Sequence, residues 1–178
     1  MRIIALWISI SLAALAAAAP CVAADEGCAG FKWDVSAERA LFASAARLQH
    51  TGKDPAAAGA IEANHLYELD LKPLSQVTFA ATSGNKRLTE DSFAGLLALK
   101  VAATGSYRFS VDVPLWIDVV AAGKLIPPTD YAGARDCHAP HKIVVFDLQA
   151  GQLVIVQLSA ASAPGARLTV TQVTPASP

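Results

Sequence analysis

The chain predicts a mainly β protein, an antiparallel, jelly-roll-like β-sandwich of about eight strands with one N-terminal helix. Three observations predict it. Apolar residues recur with period two at Tyr67, Leu69 and Leu71 and again at Tyr107, Phe109, Val111 and Val113, the alternation of a half-buried strand. Residues 93–101 form an almost unbroken apolar run, as expected of a strand covered on both faces. The one helical periodicity comes before all of these, so no crossover helices remain to build a parallel α/β sheet.

The N-terminus reads as a secretory signal. Met1-Arg2 carries one positive charge, residues 3–19 are apolar apart from Ser9 and Ser11, and Pro20-Cys21-Val22-Ala23-Ala24 ends in small residues before Asp25-Glu26. That is the charged, apolar and small-residue order of an exported precursor, with cleavage after Ala24. Two rivals remain: an uncleaved anchor, because the stretch approaches the roughly 17–25 residues that span a bilayer, and a lipoprotein cut before Cys21. Cleavage after Ala24 leaves residues 25–178 as a single β-sandwich domain, large enough to bury a core.

Within that domain the elements follow in order. Asp34 or Ser36 caps a helix with Glu38 in its first turn, Ala37, Leu41, Ala45 and Leu48 form its apolar face, and Gly52 ends it. Residues 53–64, with Pro55 and Gly59, read as a loop. Strands are expected at Tyr67–Leu71 and, past a turn around Pro73, at Val77, Phe79 and Ala81. Ser83-Gly84-Asn85-Lys86 reads as a turn. After the run 93–101 come a turn at Gly105-Ser106, the strand through Tyr107, and residues 115–120. Residues 125–141, with Pro127-Pro128, Gly133 and Pro140, form the longest irregular stretch, and strands at 143–148, 153–158 and 167–173 close the chain. Gln149-Ala150-Gly151-Gln152 reads as a hairpin turn. A faint repeat places Asp-Leu at the end of a strand twice, at Asp70-Leu71 and Asp147-Leu148.

Charge and cysteines narrow the function classes. The chain has 14 basic and 15 acidic residues, and losing Arg2 with the signal leaves a net charge of −2. No basic run or stripe supports a nucleic-acid partner, and no membrane span is expected in the mature chain. Removal of Cys21 leaves Cys28 and Cys137, an even pair in an oxidising compartment, so a disulfide between them is expected.

The candidate sites are few. His138 and His141 flank Ala139-Pro140 in a loop and could reach one metal ion, with Asp136 or His65 as a further ligand. Trp116 and Tyr131, with Trp33, could form a stacking platform for a ligand or partner. Alternation places Trp116 and Asp118 opposite Leu115, Ile117 and Val119. Ser83-x-x-Lys86 lacks the partner motifs of the penicillin-recognising enzymes, and Asp112, Asp118 and Asp147 stand singly on strands. No cofactor is predicted beyond a possible metal ion.

Gly105-x-Tyr107, Trp116-x-Asp118-Val119, Cys137, Lys142-x-Val144-x-Phe146-x-Leu148-x-x-Gly151 and Cys28-x-x-Phe31-x-Trp33 together resemble a group of small exported proteobacterial proteins of uncharacterised function. Some of these are labelled homogentisate 1,2-dioxygenase. That label implies iron held by two histidines and a glutamate; here His138 and His141 are the nearby pair, and Glu68 or Glu90 would have to converge on them by folding. The final strands also resemble the β-sandwich accessory modules of secreted bacterial proteins, which bind rather than catalyse. The expectation is an exported non-enzymatic binding or envelope-associated module, periplasmic or secreted, whose partner is an unidentified ligand or envelope protein. The alternative is a small metal-dependent enzyme using the His138–His141 pair.

Overall fold

The computed structural model describes Cys28 and residues 30–173; the expected signal, residues 1–24, lies outside the described residues. One helix, α1 (Ser36–Phe42), is followed by β1 (Arg47–His50), β2 (Gly59–Ile61), β3 (Leu66–Asp70), β4 (Lys72–Pro73), β5 (Phe93–Lys100) and β6 (Gly105–Val111). Then come β7 (Trp116–Ala121), β8 (Lys124–Ile126), β9 (Asp130–Gly133), β10 (Lys142–Leu148), β11 (Leu153–Ala161) and β12 (Gly165–Gln172). Sheet A runs β1-β3-β12-β6-β10-β9, and sheet B runs β2-β5-β11-β7-β8 with β4 beside β5.

The period-two rows turn inward and meet between the sheets. Tyr107, Phe109 and Val111 of β6 and Val144, Phe146 and Leu148 of β10 pack against Leu97 and Leu99 of β5 and Val154, Val156 and Leu158 of β11. Phe109 and Phe146 contact edge to face, with centroids 5.5 Å apart. At about 25 cal/mol for each Å² of apolar surface removed from water, these rows are the main stabilising contribution.

The protein is therefore mainly β, but its sheets are mixed. β1 runs parallel to β3 and β2 parallel to β5, which corrects the purely antiparallel expectation and its count of about eight strands. The helix is also shorter than its periodicity predicts. Its C-cap N–H donates to the Arg39 carbonyl, and the Ser44 N–H and hydroxyl both donate to the Leu41 carbonyl at 2.9 and 2.7 Å. The chain then leaves to pair as β1, and Leu48 is 67% exposed instead of buried. The helix buries Glu38 and Phe42, four residues apart.

Two other expected elements differ. The presumed loop 53–64 contains β2, and the irregular stretch 125–141 contains β9 and the end of β8. Residues 77–81 form no strand. Instead residues 77–92 lie as a strap on the outer face of sheet B. Gln157 of β11 clamps Ala81, accepting from its N–H at 2.9 Å and donating to its carbonyl at 3.2 Å. Asp118 of β7 accepts from the Ser83 hydroxyl and the Gly84 N–H at 2.8 and 3.0 Å. Residues 149–152 are no hairpin turn either: they carry the chain from β10 in sheet A to β11 in sheet B. The Asp70-Leu71 corner likewise leads from β3 in sheet A to β4 in sheet B. The repeated Asp-Leu thus marks two places where the chain changes sheets, with Leu71 and Leu148 buried at the corners.

The outer face of sheet A is covered by the N-terminal segment. The expected disulfide is present: Cys28 bonds Cys137, with Cα atoms 4.8 Å apart. Lys32 pairs with Asp130 of β9. Arg108 of β6 stacks on Trp33 and donates to the Asp34 carbonyl at 2.8 Å. Buried Glu38 accepts from Thr171 of β12 at 2.7 Å and from Arg108 at 3.4 Å; those two partners sit directly opposite each other in the β6–β12 ladder. The segment is pinned in turn to β9, β6 and β12, which keeps it flat on the sheet.

Candidate functional site

β8 ends sheet B and β9 ends sheet A on the same side of the molecule, and residues 127–129 connect them. Pro127 and Pro128 have no N–H to donate. The first donor after them, the Thr129 N–H, goes to the Val145 carbonyl at 2.9 Å. Between the two sheets at this edge lies a groove of about 350 Å³ lined by Trp116, Ile117, Pro128, Tyr131, Lys142 and Val144. Trp116 and Tyr131, expected as a platform from sequence, are brought together here, 38% and 69% exposed. Trp33 is not part of it; it lies under Arg108 on the outer face of sheet A.

The wall carrying Trp116 is braced from behind. Its indole N–H donates to Asp118 at 2.8 Å, and the same carboxylate holds the strap through Ser83 and Gly84. A Cβ at Gly84 would sit 2.9 Å from the Asp118 carboxylate, which would have to shift to admit it. The Lys142 ammonium lies 5.2 Å from the centre of the Trp116 ring and donates to the Leu115 carbonyl at 3.1 Å. Burial pushes the pKa of Lys142 down, and the Asp118 charge works against that shift. Asp118, a lone strand carboxylate in sequence, is thus the joint of strap, indole and ammonium.

Lys142 was missing from the sequence-derived platform. Its signal is the period of β10: Lys142 stands in the row of Val144 and Phe146 that faces the other sheet, at the end of that row. A cation that opens an otherwise apolar inward row marks a place where the core meets solvent.

His138 and His141 are brought near each other, with parallel rings 6.4 Å apart. His138 is exposed, and the His141 Nδ1 is buried without a hydrogen-bond partner. Cys137 is taken by the disulfide, and His65 faces Glu62 at 3.4 Å. Among the described residues no three His, Cys, Asp or Glu side chains gather closely enough to hold a metal ion. A two-imidazole pair leaves a metal short of the three or more protein ligands such sites use.

A further concavity of about 480 Å³ lies beside α1, where Glu38 and Arg108 face it. Its opposite charges are spent on holding the helix to sheet A.

No protein-family model matches the chain, and no curated protein matches it. Among solved structures, 52% of the chain aligns with 12% of a β-glucosidase from Kluyveromyces marxianus in complex with glucose, at 15% identity and a TM-score of 0.29.

Proposed function

We propose that the protein is an exported, non-catalytic binding module and that the groove between Trp116 and Tyr131 is its ligand site. The observation that supports this reading is the meeting of two exposed aromatic side chains in one preformed, mostly apolar groove. Exposed Trp and Tyr supply large, rigid contact surfaces, and grooves of roughly 300–1,000 Å³ are the usual size of small-molecule sites. The titratable side chains lining it are Lys142 and Tyr131. That set can hold and orient a ligand, but it lacks the matched acid and base that proton-transfer catalysis needs.

Export is supported by the Cys28–Cys137 bond, since such bonds persist in oxidising compartments, and by the signal-like N-terminus. Among the described residues no helix is long and apolar enough to cross a membrane.

A ligand-observed NMR screen of ring-bearing fragments tests the reading, run in parallel on the protein and on its Trp116→Ala variant. Binding to the parent with at least about tenfold loss in the variant is expected, the scale of a truncated aromatic anchor. Fragments that bind both proteins equally, or no binding at millimolar concentration, would sink the proposal.

A further inference from the structure

The groove does not end at Tyr131. A second concavity of about 290 Å³ shares Tyr131 and Lys142 with the first and continues past Gly133 to Arg135 and His141. One half is apolar and aromatic; the other carries Arg135 and Lys142. No carboxylate lines either half.

The nearby acids have their hydrogen-bond partners elsewhere, and Asp118 acts on Lys142 through its charge alone. Asp118 accepts from Trp116, Ser83 and Gly84. Asp130 pairs with Lys32 and accepts from the Tyr131 N–H at 2.8 Å. Asp136 is exposed and lines neither concavity. The Lys142 ammonium, which lies over the Trp116 ring and lines both halves, gives one of its three N–H donors to Leu115, so two are left without a hydrogen-bond partner among the described residues. A partly desolvated cation with donors to spare, beside a mostly apolar groove lined by two exposed aromatic side chains, is complementary to an anion attached to a ring.

We propose that this continuous site takes a small ring-bearing carboxylate. The ring lies in the apolar half between Trp116 and Tyr131, and the carboxylate reaches the Lys142 ammonium with Arg135 beyond it. This inference rests on the groove being the ligand site and adds the charge and shape of what fills it. No covalent step is involved.

Isothermal titration of the full mature protein with 2-naphthoate and with its neutral isostere 2-naphthamide is the test. The acid is expected to bind at least about tenfold more tightly than the amide, the scale of a hydrogen bond to a charged group. Raising the salt should shrink that preference by screening. Lys142→Met should remove most of it, leaving only the share due to Arg135. Arg135→Gln, at an exposed position that does not endanger folding, should reduce it several-fold. Equal affinity for acid and amide would overturn the carboxylate inference and leave the apolar groove standing as a binding site. Failure of both compounds to bind would remove the inference together with the reading beneath it.

Discussion

At the β1–β2 edge the chain crosses between the sheets through Thr51 and Gly52, whereas at the β8–β9 edge it crosses through Pro127 and Pro128. The first crossing hydrogen-bonds both sheets. The Gly52 N–H and carbonyl exchange bonds with Leu96 of β5 at 2.8 and 3.0 Å, while the Thr51 N–H donates to the Asp70 carboxylate of β3 at 3.1 Å. The second crossing starts with two residues that cannot donate, and it spans the gap without closing it. One edge is sealed and its polar groups are satisfied internally; the other keeps two exposed aromatics and a half-buried cation around a groove. In this fold the groove lies beside a connection whose first two residues have no N–H to offer either sheet.

The contrast breaks first at Gly95. A Cβ there would sit 2.4 Å from the Thr51 hydroxyl and 2.5 Å from its Cβ, atoms held by the sealed crossing. Gly95→Ala is expected to lower unfolding free energy by about 1–3 kcal/mol, the usual cost of overpacking. At the open edge Tyr131→Ala removes a side chain that is 69% exposed and should change stability by no more than about 0.5 kcal/mol. Urea unfolding of both variants reads the difference. Equal stability of Gly95→Ala and the parent would show that the first edge is as loosely filled as the second.

The same two edges show what sequence carries and what it does not. The inward rows of β6 and β10 are legible because every second residue is apolar and each row is long. The Cys28–Cys137 bond follows from counting. β1 is not legible: Ala45 and Leu48 continue a helical period, and the gain that overrides it is a ladder to Tyr67 and Asp70 in a distant strand. The strap is hidden for a similar reason. Val77, Phe79 and Ala81 alternate like a strand, yet their neighbourhood is set by Gln157 and Asp118, 76 and 35 residues away from their partners. A glutamine inside the apolar run Ile155-Val156-Gln157-Leu158 is the local sign that something polar must cover it. At the groove, Trp116 and Tyr131 are legible as aromatics beside turns, but their meeting depends on how residues 127–129 cross the edge.

Acid should weaken the sealed edge selectively. Burial disfavours the Asp70 charge, but hydrogen bonds from Lys72, His50 and the Thr51 N–H outweigh it and hold the carboxyl at about 2, below its ordinary 3.8. A carboxyl depressed by folding adds stability that is complete above its unfolded pKa and disappears as pH falls through the folded one. The loss belongs to the window from about pH 4 down to about 2, and it is modest because Asp70 is partly exposed to screening solvent. Melting temperatures from pH 6 to pH 2 should show Asp70→Asn below the parent at pH 6 and the gap closing in acid. A gap that stays constant would mean that the carboxyl is not ionised preferentially in the folded edge. Lys142 at the open edge gives a dependence of the same sign in a different range: burial penalises its charged form, so its lowered pKa makes folding gain stability as pH rises toward 10.5.

A small gain is expected at the hairpin that carries the open edge of sheet B. β7 and β8 are joined by Ala122 and Gly123, with φ of 47° and 74°, the two positive values of a tight turn that favours Asn-Gly. Gly123 tolerates its value freely, whereas an alanine in the left-handed region costs roughly 1–2 kcal/mol. Asparagine visits that region more readily, so Ala122→Asn should recover about 0.5–1 kcal/mol. The turn lies outside the groove lining, so fragment affinity at Trp116 should stay unchanged while the melting temperature rises. A rise in stability accompanied by altered affinity would mean that the β7–β8 hairpin sets the width of the groove, and the open edge would then depend on its strands as much as on the prolines that cross it.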